Sequence, residues 1–258
     1  MESRPDLTLK QIAEKIRENF NIIVTLPTIS NTLTKIGFTF KLLHTIPMGR
    51  NTEEVVLARK QFALNYFQEA PINREKIIWI DEVGYNLYLR RKQGRALKGA
   101  RASITVPNSW GRNISICAAM SCGGFLLSKN SAVSTNTTEF CSFLRELFDY
   151  LRMNNLTNCW LILDNVKFYH SLQVNNLVRE NGHSLIFLPP YSPMLNPIEN
   201  LFSKWKSIIK TNNVVFNRDT LIQEINSAKR LITIDDCNGW IREINRNLSL
   251  AIEEHIFL

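Results

Sequence analysis

Three acidic residues that lie far apart in the sequence have the types and surroundings needed to bind divalent metal ions. Asp81 ends the apolar run KIIWID, Asp164 ends the run CWLILD, and Glu199 follows Asn196 and Pro197 in the stretch FLPPYSPMLNPIENLFSKWK. An Asp at the carboxyl end of a buried strand lies at the sheet edge where open α/β sheets bind ligands. Two such carboxylates on neighbouring strands repel each other unless a cation lies between them. Carboxylate oxygens favour Mg²⁺ or Mn²⁺, and a third acid completes a site for two ions, which could promote phosphodiester displacement by a water or a 3′-hydroxyl.

Each of these acids also has a purely structural interpretation. Asp is common in the turns that follow strands. Asn196 and Glu199 have the spacing of a capping box, in which the Glu bonds back to the first residue of the helix, and Pro197 suits the first helical position. These residues alone leave both interpretations open.

The segments around the three acids predict a mixed α/β sheet. Apolar runs of strand length alternate with amphipathic helices. One of these helices starts after Asn136, and another ends before Gly182. Residues with high β propensity after Gly84 predict a turn there into an antiparallel partner. Strands are predicted at 76–81, 113–121, 159–164 and 183–188, and FLLSKN (125–130) is a candidate for a further strand.

The N-terminal region predicts a small all-α domain. Two short helical patterns, at residues 8–20 and 26–36, are typical of a helix-turn-helix, and a longer helix follows at 51–69. A plain helical hairpin is the alternative. We place the domain boundary at about residue 71, which gives domains 1–71 and 72–258. The side chains that could reach DNA from the second helix are Ser30, Asn31, Thr34 and Lys35.

A basic segment without a single acid runs from Asn86 to Arg112. Such a segment suits contact with a phosphate backbone, although a solvated loop would have the same composition. The net charge of +8 and the isoelectric point near 9.3 also favour a polyanionic partner. The candidate DNA contacts are Arg90, Arg91, Lys92, Arg95, Lys98 and Arg101.

Composition indicates an intracellular globular protein. The 258 residues are 45% hydrophobic, which is enough for a sizeable core. No apolar run approaches the roughly 20 residues that span a bilayer, and the first residues lack the apolar stretch of a secretory signal. We therefore expect no membrane association. The five cysteines have no paired spacing that would predict a zinc site or a disulfide framework.

Three motifs together resemble the catalytic motifs of DDE transposases of the mariner superfamily, which includes related bacterial insertion-sequence enzymes. They are WIDEVGYN, LILDN followed by His170, and PPYSPMLNPIEN. The 34 residues between Asp164 and Glu199 match one large branch of that superfamily.

The resemblance implies an RNase H-like catalytic fold from about residue 74, preceded by a helix-turn-helix. It implies that Asp81, Asp164 and Glu199 bind two Mg²⁺ (or Mn²⁺) ions for DNA cleavage at transposon ends and for strand transfer. The implied partners are the terminal inverted repeats, the target DNA and a second copy of the chain. In a eukaryote the implied location is the nucleus.

Two further residues match family positions beside the second acid, namely Asn165 and His170. Asn165 could instead satisfy a turn, and His170 could cap the next helix.

The chain departs from the family at its N-terminal end. Family members usually carry two helix-turn-helix units, whereas this chain has room for one before residue 71, so the first unit is expected to be missing. That departure leaves a second hypothesis, a transposase-derived DNA-binding protein that no longer cuts DNA.

Overall fold

The computed structural model describes residues 4–43, 45–86, 95–103, 114–131, 136–166, 169, 171–212 and 218–257. The chain forms two compact units, Met1–Pro47 and Met48–Leu258. None of the helices in the described ranges is long and apolar enough to cross a membrane.

The first unit contains two helices, as predicted. Helix α1 (Leu9–Phe20) begins with a capping box between Thr8 and Gln11, and helix α2 (Leu26–Lys35) begins at Thr25, whose hydroxyl accepts a hydrogen bond from the next turn. Among the described residues of this unit only Ile29 is buried. The two helices therefore form a small unit with little core of its own.

The second unit contains five strands and six α-helices in its described ranges. The strands are β1 (Ile77–Tyr85), β2 (Ile114–Ser121), β3 (Gly124–Ser131), β4 (Trp160–Leu163) and β5 (Ser184–Phe187). The helices are α3 (Glu53–Glu69), α4 (Thr137–Met153), α5 (Leu172–Glu180), α6 (Pro197–Asn212), α7 (Arg218–Lys229) and α8 (Ile234–Ile252). Short 3₁₀ helices span Met48–Asn51, Arg74–Lys76 and Pro193–Leu195.

The five strands form one mixed sheet in the order β3-β2-β1-β4-β5. The first three strands pair antiparallel, whereas β1 with β4 and β4 with β5 pair parallel. Strand β1, which contains Asp81, is therefore central, and it pairs directly with β4, which ends just before Asp164. The predicted mixed sheet is confirmed.

Helices cover both faces of the sheet. One face buries the apolar sides of α4 and α5, and the other face forms a larger core with α3, α6, α7 and α8. Side chains alternate along β1, so that Ile78 and Ile80 enter the first core while Trp79 and Val83 enter the second. Asp81 shares the parity of Trp79 and Val83 and so lies on the face that α6 covers.

Strand β1 is longer than the sequence predicted. It does not end at Asp81 or turn at Gly84, but continues to Tyr85. The reason is its second neighbour, because β2 pairs with β1 as far as Tyr85, opposite Ile114, whereas the pairing with β4 stops at Trp79. The helix predicted at 51–69 is confirmed as α3, and it belongs to the second compact unit. The functional boundary near residue 71 stays a prediction.

Candidate active site

The register of two parallel strands sets Asp81 beside Asp164. Trp79 pairs with Ile162 in the ladder between β1 and β4, and two further residues along each strand lead to the two acids. Neighbouring strands lie about 4.8 Å apart, so the two backbones approach closely at this point. Asp81 lies within β1, and Asp164 directly follows the last residue of β4. Both side chains are half-buried.

Helix α6 carries the third acid over the same face of the sheet. It begins at Pro197, and Glu199 lies in its first turn, as predicted. Three buried side chains of the helix, Ile198, Leu201 and Trp205, pack into the core beneath that face. This packing fixes the start of α6 near the two aspartates.

The three acids interact electrostatically. Burial, followed by repulsion from Asp164 and, more weakly, from Glu199, raises the pKa of Asp81 to about 8, although the Glu82 N–H opposes this shift. Burial also raises the pKa of Asp164. Unlike the two aspartates, Glu199 is exposed as a residue. Its pKa is nevertheless raised, because its carboxyl group is partly desolvated and repelled by Asp164, against the opposing charge of Lys206. The cluster therefore carries a cost that a bound cation would relieve.

Two donors hold the Asp81 carboxylate. The backbone N–H of Glu82 donates to Oδ1 at 2.7 Å, and the Asn196 amide Nδ2 donates to Oδ2 at 3.2 Å. Glu82 has the opposite strand parity to Asp81, so its side chain is on the other face of the sheet.

The capping-box interpretation of Glu199 does not hold. The backbone N–H of Asn196 donates to the Pro193 carbonyl at 3.0 Å, so it is not available as the reciprocal donor for the Glu199 carboxylate. The Asn196 side-chain oxygen is buried and has no hydrogen-bond partner among the described residues. Glu199 is therefore an exposed first-turn acid whose carboxylate does not bond back to the Asn196 N–H.

The donor set fits a hard divalent cation. Three carboxylates and an unpaired amide oxygen supply the oxygen ligands or outer partners that Mg²⁺ and Mn²⁺ prefer. Within the described ranges, however, no three His, Cys, Asp or Glu side chains are gathered closely enough to hold a metal as they stand. A cation at this position would attract all three carboxylates.

The two residues predicted beside Asp164 have different outcomes. Asn165 is exposed and is the central residue of a tight turn, in which the Val166 N–H donates to the Asp164 carbonyl at 2.9 Å. This geometry fits the turn interpretation, and a catalytic role for Asn165 stays a prediction. His170 lies outside the described residues.

The predicted DNA contacts are exposed wherever the structure describes them. On α2, Ser30, Asn31, Thr34 and Lys35 are all exposed. The Thr34 hydroxyl donates to the Ser30 carbonyl at 3.1 Å, so it is left as an acceptor.

The basic segment is described only in part. Arg95, Lys98 and Arg101 are exposed around a turn that the Ala100 N–H closes onto the Leu97 carbonyl at 2.9 Å. Gly99 in that turn has a φ of +89°, which favours glycine. The other predicted contacts, Arg90, Arg91 and Lys92, lie outside the described residues.

Comparison with known protein families finds a match. The sequence profile described as DDE superfamily endonuclease matches residues 76–222, more than half of the chain. The matched range contains all three candidate acids. A comparison with curated protein sequences finds no match.

The fold is similar to solved structures of Mos1 transposase. The structure titled "Mos1 transposase paired-end complex with left transposon end" has a TM-score of 0.75 and 16% identity over 98% of this chain and 75% of that chain. The "mariner Mos1 paired end complex with Mg" has a TM-score of 0.76 and 16% identity over 100% of this chain and 77% of that chain. The "catalytic domain of Mos1 mariner transposase" has a TM-score of 0.63 and 12% identity, covering 84% of this chain and all of that chain. These similarities confirm the predicted RNase H-like fold.

Proposed function

The chain belongs to the DDE superfamily endonuclease family, and we propose that it is a transposase that uses Asp81, Asp164 and Glu199 to cleave DNA at transposon ends and to transfer the cut strand. One observation supports the triad most strongly. The β1–β4 register brings Asp81 and Asp164 abreast on the sheet face that α6 covers, and Glu199 lies in the first turn of that helix. The family match and the electrostatic repulsion among the three acids both support metal-dependent DNA cleavage.

The chain itself holds the three carboxylates in fixed positions. Asp81 lies in the central strand and is held by the Glu82 N–H and the Asn196 amide, while α6 is fixed by its buried side chains. Two Mg²⁺ or Mn²⁺ ions at such a cluster would supply an activated oxygen nucleophile and stabilise the leaving oxygen. The Mos1 paired-end complex was solved with Mg, which supports the choice of ion.

DNA cleavage by the purified chain tests this proposal. We expect nicking of supercoiled DNA that requires Mn²⁺ or Mg²⁺. Asp164→Ala should reduce it by more than about 10- to 100-fold, the loss typical even for an outer partner of a metal ligand. Asp149→Ala is the matched control, since Asp149 is an exposed acid on α4 that faces Arg152 at 3.4 Å. That variant should cut like the wild type.

The opposite result has a defined meaning. Equal nicking by wild type and Asp164→Ala would show that the activity is a contaminant. Retained DNA binding without cleavage would then favour the second hypothesis, a transposase-derived DNA-binding protein.

The proposed partner is double-stranded DNA, namely transposon terminal repeats and target DNA. The exposed polar face of α2 supports a role for residues 1–71 in DNA binding, with residues 72–258 catalytic. The exposed Arg95, Lys98 and Arg101 suit contact with phosphates. Because a transposon has two ends, we propose a homodimer as the active form, acting in the nucleus if the source is eukaryotic.

A further inference from the structure

Two asparagines in this chain have the same spacing to a following glutamate at the start of a helix. Asn136 precedes α4 with Glu139 three residues later, and Asn196 precedes α6 with Glu199 three residues later. The Asn136 side-chain oxygen accepts a hydrogen bond from the Glu139 N–H at 2.9 Å. Asn136 is therefore an ordinary helix cap at an exposed position.

Asn196 uses its side chain differently. The residue is only 1% exposed, and its amide nitrogen donates to Asp81 Oδ2 at 3.2 Å, while its side chain does not cap the helix. The N–H of Glu199 bonds to the backbone carbonyl of Asn196 at 3.3 Å. The amide oxygen remains buried without a partner among the described residues. Buried amide oxygens are normally hydrogen-bonded, so this atom needs an explanation.

The backbone around Asn196 is held firmly. The Asn196 N–H bonds to the Pro193 carbonyl, and Asn247 on α8 donates to the Met194 carbonyl at 2.8 Å. Pro197 follows directly and restricts the backbone further. Asn196 therefore reaches Asp81 from a rigid support that involves three elements, the 3₁₀ turn, α6 and α8.

We propose that Asn196 is a positioning residue of the metal site. Its amide nitrogen fixes the rotamer of the Asp81 carboxylate, and its amide oxygen accepts from a hydrogen-bond donor that enters with the metal. A carboxylate that binds a metal can only accept hydrogen bonds, so the amide nitrogen is the group suited to hold it. The proposal rests on the proposed function, since it takes Asp81 to be a metal ligand.

Binding of Mn²⁺ to the full chain tests the proposal without relying on cleavage. Free Mn²⁺ is measured by electron paramagnetic resonance for the wild type, Asn196→Ala, Asn196→Ser and the matched control Asn136→Ala. We expect about tenfold or greater loss of affinity in both Asn196 variants, the range typical when an outer partner of a metal ligand is removed. Asn136→Ala should bind Mn²⁺ like the wild type.

Asn196→Ser separates the proposed role from helix capping. Ser caps helices about as well as Asn but is too short to reach Asp81, so a capping role predicts wild-type affinity in this variant. Such a result would overturn the proposal. Thermal unfolding without metal confirms that each variant is folded, and the Ser variant decides the question if the Ala variant is not.

Failure of this proposal and failure of the proposed function give different results. If Asp164→Ala abolishes Mn²⁺ binding while both Asn196 variants bind normally, the positioning role is wrong and the metal site stands. If the wild type itself does not bind Mn²⁺, both are wrong.

Discussion

Loss of the Asp81 proton should make the metal-free protein less stable as the pH rises. The pKa of this carboxyl group is raised to about 8 by burial and by repulsion from Asp164, against an ordinary value of 3.8. The folded state then binds more protons than the unfolded chain between these two values. The free energy of unfolding is therefore highest at the acidic side of this window and falls as the pH rises through it, by up to about 1.4 kcal/mol per pH unit for one proton.

Asp81→Asn removes this titration while nearly preserving side-chain size. We expect its free energy of unfolding, measured by urea denaturation with a chelator present, to fall less than that of the wild type from about pH 5 to about pH 8. Asp149→Asn, at an exposed position, is the control and should follow the wild type. Parallel curves for all three proteins would show that Asp81 ionises normally.

At the scale of single residues, the sequence predicts where a residue lies in its helix better than which group its side chain contacts. The N-terminal position of Pro197 and the first-turn position of Glu199 follow from local chemistry, and both are confirmed. The role of Asn196 does not follow from local chemistry, because its spacing to Glu199 equals that of the capping pair Asn136 and Glu139. What distinguishes the two asparagines is Asp81, which lies 115 residues away in the sequence.

Helix α3 should be required for stability of the second unit. Its residues Phe62, Ala63 and Tyr66 belong to the core on the α6 face, and the Tyr66 ring lies 6.1 Å from that of Trp79. Lys60 on the same helix pairs with Glu254, just after α8, at 2.6 Å. We expect a fragment of residues 48–258 to unfold cooperatively, and a fragment of 72–258 to be destabilised by about 3 kcal/mol or more, the scale for losing one large buried side chain.

Urea midpoints of the two fragments, followed by tryptophan fluorescence and circular dichroism, check this expectation. The Lys60→Ala variant of the longer fragment is a control for the exposed ion pair, which should contribute less than about 1 kcal/mol. Equal midpoints for the two fragments would instead favour an independent domain that starts near residue 72.

At the scale of elements, local signals predict where helices begin but not how far strands extend. Thr8 and Asn136 are caps that can be recognised from the sequence, and both form the expected hydrogen bonds. The length of β1 depends on the pairing of Tyr85 with Ile114, and no local pattern contains that information. The packing of α3 on the core of the second unit likewise depends on residues that are distant in the sequence, so no local pattern predicts it.

The whole molecule carries a net charge of +8, so its affinity for DNA should fall steeply with salt. Attraction to DNA through the overall charge can be distinguished from contact with particular phosphates by replacing cations in different parts of the molecule. Replacing Arg95, Lys98 and Arg101 with Ala removes three exposed cations from the basic segment. If each contacts one phosphate, the slope of log affinity against log salt should become less negative by about 2.7, because each contact contributes about 0.9.

A second triple variant holds the change in net charge constant. Replacing Arg152, Arg179 and Arg242 with Ala also removes three exposed cations, which lie on α4, α5 and α8. Because general attraction depends on total charge, it predicts the same loss of affinity in both triple variants, whereas phosphate contact predicts a change in slope only for the first. Fluorescence anisotropy with a labelled duplex at several salt concentrations measures both slopes. Equal slopes in the two variants would remove the basic segment from the DNA interface and leave only the overall charge to account for binding.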